Sequence, residues 1–123
     1  MLWRFDGSSW TAWPKQFDQP FNVVWGSGPK DVWAGGDNGL LAHFDGTEWV
    51  QAASPSTADI QAIRGSGPGN VWLAPYGGTA QRFDGSTWRE VFTDTRQSLN
   101  GFWVDGSQVL AVGSAGTVLR LAP

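Results

Sequence analysis

The sequence predicts an all-β chain built from a short repeat, on three observations. The first is self-similarity at a fixed interval. Asp6, Asp45 and Asp84 stand 39 residues apart, as do Phe5, Phe44 and Phe83, and as do Trp10, Trp49 and Trp88. The second is that each period holds four β-type runs separated by Gly, Pro, Asn and Asp clusters. The third is that one run in each period is apolar almost throughout: Val32-Trp33-Ala34, Val71-Trp72-Leu73 and Val109-Leu110-Ala111. A sheet wet on one side alternates, so continuous apolarity means that both faces are covered. Four antiparallel strands in a period of about 40 residues is a β-propeller blade. The chain is therefore read as a propeller fragment of about three four-stranded antiparallel blades.

Within one period the elements follow in order. Residues 21–25 are β-branched and aromatic and form the first strand, ended by the Gly26-Ser27-Gly28-Pro29 turn. Residues 31–36 are the second strand. Asp37-Asn38-Gly39 is a hairpin signal, because Asn and Gly tolerate positive φ. Residues 40–44 are the third strand, Asp45-Gly46 a second hairpin, and residues 47–52 the fourth strand. A loop over 53–59 leads into the next period, where Gly65-Ser66-Gly67-Pro68 repeats the first turn. The last period is looser: Asp105-Gly106-Ser107 replaces that turn with one residue fewer. The organisation is a partial blade over 1–13 (third and fourth strands), repeats over 14–52 and 53–91, and a partial blade over 92–123 (first to third strands). No stretch carries helical periodicity.

Composition narrows the function classes. The 123 residues include 17 Gly and nine Trp, a balance that fits many tight turns between short, aromatic-rich strands. Formal net charge is −3 and charged residues make up 15% of the chain, so no basic stripe points to nucleic acid. No apolar run of about 18 residues predicts a membrane span. Arg4 and Asp6 interrupt the start before any apolar signal-peptide core. With one His and no Cys, a zinc site is not predicted. Gly26-Ser27-Gly28 lacks the Lys and the following helix that phosphate binding requires, so no cofactor is predicted.

The run Trp25-Gly26-Ser27-Gly28-Pro29, then Asp31-Val32-Trp33-Ala34 and Gly36, then Phe44-Asp45-Gly46 and Trp49, resembles the tryptophan-rich propeller repeats of large bacterial surface proteins, especially of myxobacteria. That resemblance covers nearly the whole chain and implies a bacterial surface setting for the parent protein. The strand order is also similar to WD-repeat blades. Here Phe44-Asp45 and Phe83-Asp84 stand where those blades close on Trp-Asp, so no WD-type partner set carries over. The aromatic-Asp-Gly-x-x-Trp hairpin resembles that of small oligomeric lectins with six-bladed propellers. Fucose-binding members imply a Glu just before the hairpin, where this chain has Leu41-Ala42 and Ala80-Gln81.

The recurrent residues read as structural. Trp10, Trp49, Trp88, Trp33 and Trp72 are expected to pack between blades. Asp6, Asp45 and Asp84 are expected to bond turn backbone. His43 shares a column with Arg4, Arg82 and Arg120 and reads as a satisfied or surface side chain, the arginines laying their stems on aromatic rings with their heads in water. The candidate binding residues are those that vary between repeats: Trp25, Arg64 and Trp103 at the end of the first strand, and Asp37, Tyr76 and Ser114 on the loop before the third. An aromatic ring beside an acidic or basic group suits a glycan or a peptide. No paired carboxylates or nucleophile motif appear, so the expectation is a non-enzymatic scaffold, with a lectin as the alternative.

Propellers close with about 4–8 blades, so three repeats imply self-assembly. A homodimer with six blades is preferred to a homotrimer with nine, since two-fold closure is the commonest. At the seam, residues 8–13 of one copy are expected to complete the last blade of another, displacing residues 1–5 or 117–123.

Overall fold

The computed structural model describes residues 3–5, 7–12, 17, 19–91, 93, 95–105 and 108–121. Asp6 and Trp13 lie outside the described residues. Among the described residues, thirteen strands make four antiparallel sheets. Blade 1 is the pair β1 (Trp3–Phe5) and β2 (Trp10–Ala12). Blade 2 holds β3 (Phe21–Gly28), β4 (Asp31–Gly36), β5 (Leu41–Phe44) and β6 (Trp49–Gln51). Blade 3 holds β7 (Ile60–Gly67), β8 (Asn70–Pro75), β9 (Ala80–Phe83) and β10 (Trp88–Val91). Blade 4 holds β11 (Leu99–Val104), β12 (Val109–Gly113) and β13 (Val118–Leu121). Each sheet meanders in chain order. Two single 3-10 turns, Asp37–Gly39 and Ser114–Gly116, join the second and third strands of blades 2 and 4. Among the described residues, no helix is long and apolar enough to cross a membrane.

The first strand of each period runs further than the sequence indicates. β3 continues through Gly26 and Gly28, which pair with Val32 and Asp31, so the turn shrinks to Pro29-Lys30. Glycine makes this possible: a Cβ on Gly26 would sit 2.8 Å from the Asp31 carbonyl oxygen. Asn38, with φ 55°, is the left-handed residue of the Asp37–Gly39 turn, a conformation Asn tolerates.

The sheets stack radially. First strands lie side by side, β3 against β7 and β7 against β11, while β6 and β10 form the outer rim. One core joins blades 2 and 3, with Trp33 and Leu41 facing Ile60, Ile63, Val71 and Leu73. A second joins blades 3 and 4, with Ala62, Trp72 and Ala74 facing Leu99, Val109 and Ala111. Along β8 successive side chains therefore serve opposite cores, Val71 and Leu73 toward blade 2, Trp72 and Ala74 toward blade 4. This is why β8 carries no polar alternation. Val71 and Leu73, fully buried, each contribute about 1.5–3 kcal/mol. In β12 burial alternates instead: Val109 and Ala111 are buried, Leu110 and Val112 exposed.

Loop-to-blade hydrogen bonds fix the stack. The Asn38 N–H donates to Asp59 Oδ1 at 2.8 Å, and the Gly77 N–H donates to Ser98 Oγ at 3.1 Å. Each bond ties the turn after one blade's second strand to the segment that opens the next blade.

Candidate functional site

Trp25, Arg64 and Trp103 occupy one row of the repeat. They pair across their sheets with Trp33, Trp72 and Leu110. Directly paired residues share a face, so all three lie on the side of their blade that faces the next. Trp25 is half-buried against blade 3, where a Cβ on Gly65 would stand 2.8 Å from its ring atom Cη2. Arg64 is exposed, and Trp103 is 49% exposed on blade 4. The row is therefore distributed across three successive blade faces rather than gathered into one cup.

Asp37, Tyr76 and Ser114 sit on the loops between second and third strands. Asp37 Oδ1 accepts from Asn22 Nδ2 at 2.8 Å. Tyr76 projects its ring into solvent, and its backbone N–H donates to the Asp59 carbonyl at 2.8 Å. Ser114 makes the matching backbone bond to Ser98 at 3.0 Å. These three line the same end of successive blades.

The recurrent tryptophans divide. Trp33 and Trp72 are buried, Trp49 and Trp88 are half-buried, and Trp10 is 65% exposed. Each hairpin tryptophan stacks at a tilt on the phenylalanine of its column. Ring centroids are 5.1 Å apart for Phe5–Trp10, 5.5 Å for Phe44–Trp49 and 5.2 Å for Phe83–Trp88.

Asp45 and Asp84 cap their hairpins. Asp45 Oδ1 accepts from the Thr47 and Glu48 N–H groups at 2.8 and 3.0 Å, and Asp84 Oδ1 from Ser86 and Thr87 at 2.9 and 3.0 Å. These bonds favour the ionised form. They hold Asp45 below the usual carboxylate value, Glu48 contributing most, and Asp84 likewise, Thr87 contributing most. A lowered folded-state pKa gives stability that is complete above the unfolded value and is lost as pH falls through the folded one. Melting temperature should thus decline below about pH 4. In the double variant Asp45→Asn, Asp84→Asn that acid decline should flatten, measurable by calorimetry at successive pH values.

A polar strut links the first three strands of blades 2 and 3. In blade 2, Ser27 Oγ donates to Asp31 Oδ2 at 2.5 Å, and His43 Nε2 meets Asp31 Oδ1 at 2.6 Å, with the Trp33 ring 4.3 Å from the imidazole. In blade 3, Asn70 bonds Ser66 at 2.8 Å, the Trp72 indole N–H at 3.1 Å and Arg82 Nε at 3.0 Å. Arg82 thus spends its guanidinium on Asn70 rather than on water alone. Blade 2 contains the three residue types of an acyl-transfer triad, but in the wrong order. Serine and histidine both address the aspartate, so the imidazole is not placed to take the serine proton. Among the described residues no group of three His, Cys, Asp or Glu is placed to hold a metal.

Between the outer strands the blades splay apart. A crevice of about 470 Å³ is lined by Trp33, Pro55, Phe83 and Trp88. The next, about 410 Å³, shares Ser54 and Pro55 with it and adds Gln81 and Glu90. A third, about 390 Å³, shares Thr79 and Glu90 and reaches Arg96. Sequence reasoning missed this groove, whose walls belong to different repeats. The one available signal was Gln81, a polar residue where the preceding repeat has Ala42.

No family model matches the chain, and no curated protein matches it. Among solved structures it is similar to YCF48 bound to a D1 peptide, with a TM-score of 0.78 at 16% identity. The fold is a β-propeller fragment. The likeness covers 98% of this chain and 43% of the other, so the chain spans less than half the length of that protein. At this identity the comparison carries the fold alone.

Proposed function

We propose that this propeller fragment is a non-enzymatic interaction scaffold that associates with copies of itself through the open face of blade 4. The observation behind this reading is the contrast between equivalent faces. In blades 2 and 3, Trp33 with Trp25, and Trp72, are overlaid by the following blade. On blade 4, Trp103 is 49%, Val112 47% and Val118 69% exposed. Leu110, Val112 and Val118 belong to that same face, through the pairs Trp103–Leu110 and Val112–Val118. A contiguous apolar face of this kind marks an interaction surface. Blade 1 offers a second bare apolar surface, since Trp3, Phe5 and Trp10 are all exposed.

The two surfaces are complementary in repeat terms. β2 is a fourth strand by its Phe5–Trp10 register, which repeats Phe44–Trp49 and Phe83–Trp88, while β13 has no fourth strand beside it among the described residues. Pairing β2 of one copy with β13 of another completes a blade. Two copies give six blades, inside the range in which propellers close. The misordered Ser27–Asp31–His43 strut favours a scaffold over a hydrolase, and a propeller bound to a peptide is a fitting precedent for a protein partner.

Light scattering across a dilution series tests this. The expected mass is twice 13.3 kDa, with thermal stability rising with concentration. Val118→Glu, on an exposed strand position, should return a folded monomer. A trimer keeps the association but sets nine blades. A concentration-independent monomer of wild-type protein overturns the reading.

A further inference from the structure

We infer that the groove between the outer halves of blades 2 and 3 is a binding site for an extended peptide carrying an apolar residue and, two positions later, a basic one. This site lies wholly within one copy and stands apart from self-association.

The groove has a physical cause. Blades pack tightly where their first strands meet and diverge toward the rim, leaving a wedge between the residue 52–57 loop and the face of β9 and β10. One buried polar group and one polar side chain along it have no partner among the described residues. The indole N–H of Trp33, in the wall of the apolar crevice, has no acceptor. Its counterpart Trp72 is satisfied by Asn70. In blade 2 an aspartate takes that place and gives its oxygens to Ser27 and His43. The second is Gln81, whose side chain lines the middle crevice and makes no hydrogen bond among the described residues. A buried donor left unmade is costly, so the Trp33 N–H, with the unpaired Gln81 amide further along the same groove, marks a place where a ligand supplies the missing bonds.

The chemistry of the walls selects the ligand. An amide that must both donate and accept is matched by a peptide group, which carries one N–H and one C=O. The Trp33 N–H asks for a carbonyl. Trp88 and Glu90 are two apart on β10 and pair with Phe83 and Gln81, so all four face the groove. Two residues of strand advance about 6.6–6.8 Å, which is the spacing of alternate side chains on an extended peptide. One such side chain would sit on Phe83, Trp88 and Pro55. The next on that side would face Glu90, an exposed carboxylate with no cation partner among the described residues. β10 is the outermost strand of its sheet, so its free edge can take main-chain hydrogen bonds as well.

The test uses the full chain and blocked pentapeptides of sequence Ser-Leu-Ser-Lys-Ser, with Ser-Leu-Ser-Glu-Ser as the control. Titration is followed by the indole N–H resonances in nitrogen-15 NMR. The lysine peptide should shift the Trp33 resonance and bind at least about fivefold more tightly than the glutamate peptide. Glu90→Lys, a surface change, should reverse that preference. Gln81→Leu should weaken binding by about tenfold while leaving the melting temperature unchanged or higher, because the amide it removes makes no hydrogen bond among the described residues. A lower melting temperature for Gln81→Leu, an unmoved Trp33 resonance, equal affinity for both peptides, or displacement by simple monosaccharides would each overturn the assignment.

Discussion

Trp72→Ala is expected to lower the unfolding free energy by about 3–5 kcal/mol. Trp72 is fully buried at the centre of the core that joins blades 3 and 4, and its ring lies 6.3 Å from that of Phe102. It sits on an interior strand between two blades, so the surroundings cannot collapse into the space it leaves. Its indole N–H also saturates Asn70, which holds Ser66 and Arg82. Trp72→Phe keeps most of the volume and leaves Asn70 its bonds to Ser66 and Arg82, so it should cost only about 1–2 kcal/mol. For a domain of ordinary stability, about 5–15 kcal/mol, the alanine variant sits close to unfolding at ambient temperature. Urea midpoints for the two variants check the order. A cost below about 1 kcal/mol for Trp72→Ala would mean that blades 3 and 4 do not share the core described above.

That core was legible before any coordinates. The continuous apolarity of Val71-Trp72-Leu73 requires cover on both sides, and only a stacked arrangement gives it. The interval between repeats set the blade period, and the Asp-Gly dipeptides marked the three outer hairpins. Strand ends were less legible. Gly26 and Gly28 carry turn-type composition, yet they continue β3, because a glycine lets the ladder run close to the Asp31 carbonyl. The site was harder still. Trp25, Arg64 and Trp103 are equivalent by column, but a column spreads around the propeller, one residue per blade face, while a groove draws its walls from two adjacent blades. Pro55, Gln81 and Trp88 occupy unrelated columns, and only the splay of the blades brings them together. The exchange of Asn70 for Asp31 is visible in the sequence, but that it strands the Trp33 N–H emerges only from the hydrogen-bond geometry.

Gly39→Ala is expected to cost about 3 kcal/mol or more, and the same change at Gly116 about 1–2 kcal/mol, although the two residues hold the same place in the repeat. Both have positive φ, 78° and 71°, so alanine is strained at each. They differ in what lies beside them. A Cβ on Gly39 would overlap the carbonyl oxygen of Ser56, in the loop that opens blade 3, and would stand 2.8 Å from the carbonyl carbon. Gly78 meets the corresponding segment, with the Arg96 carbonyl carbon at 2.7 Å. A Cβ on Gly116 meets nothing within 4 Å, because among the described residues no blade lies beside that face of blade 4. If a second copy supplies that blade, its opening loop fills the space beside Gly116 as residues 56 and 57 fill the space beside Gly39. Gly116→Ala should then be mild in dilute solution and costly in concentrated solution. Its association constant should fall at least about tenfold, the equivalent of about 1.4 kcal/mol. Melting curves at two concentrations, with light scattering on the same samples, separate the cases. An unchanged association constant, with one small cost at every concentration, would mean that the slot beside Gly116 stays open and that copies do not meet at blade 4.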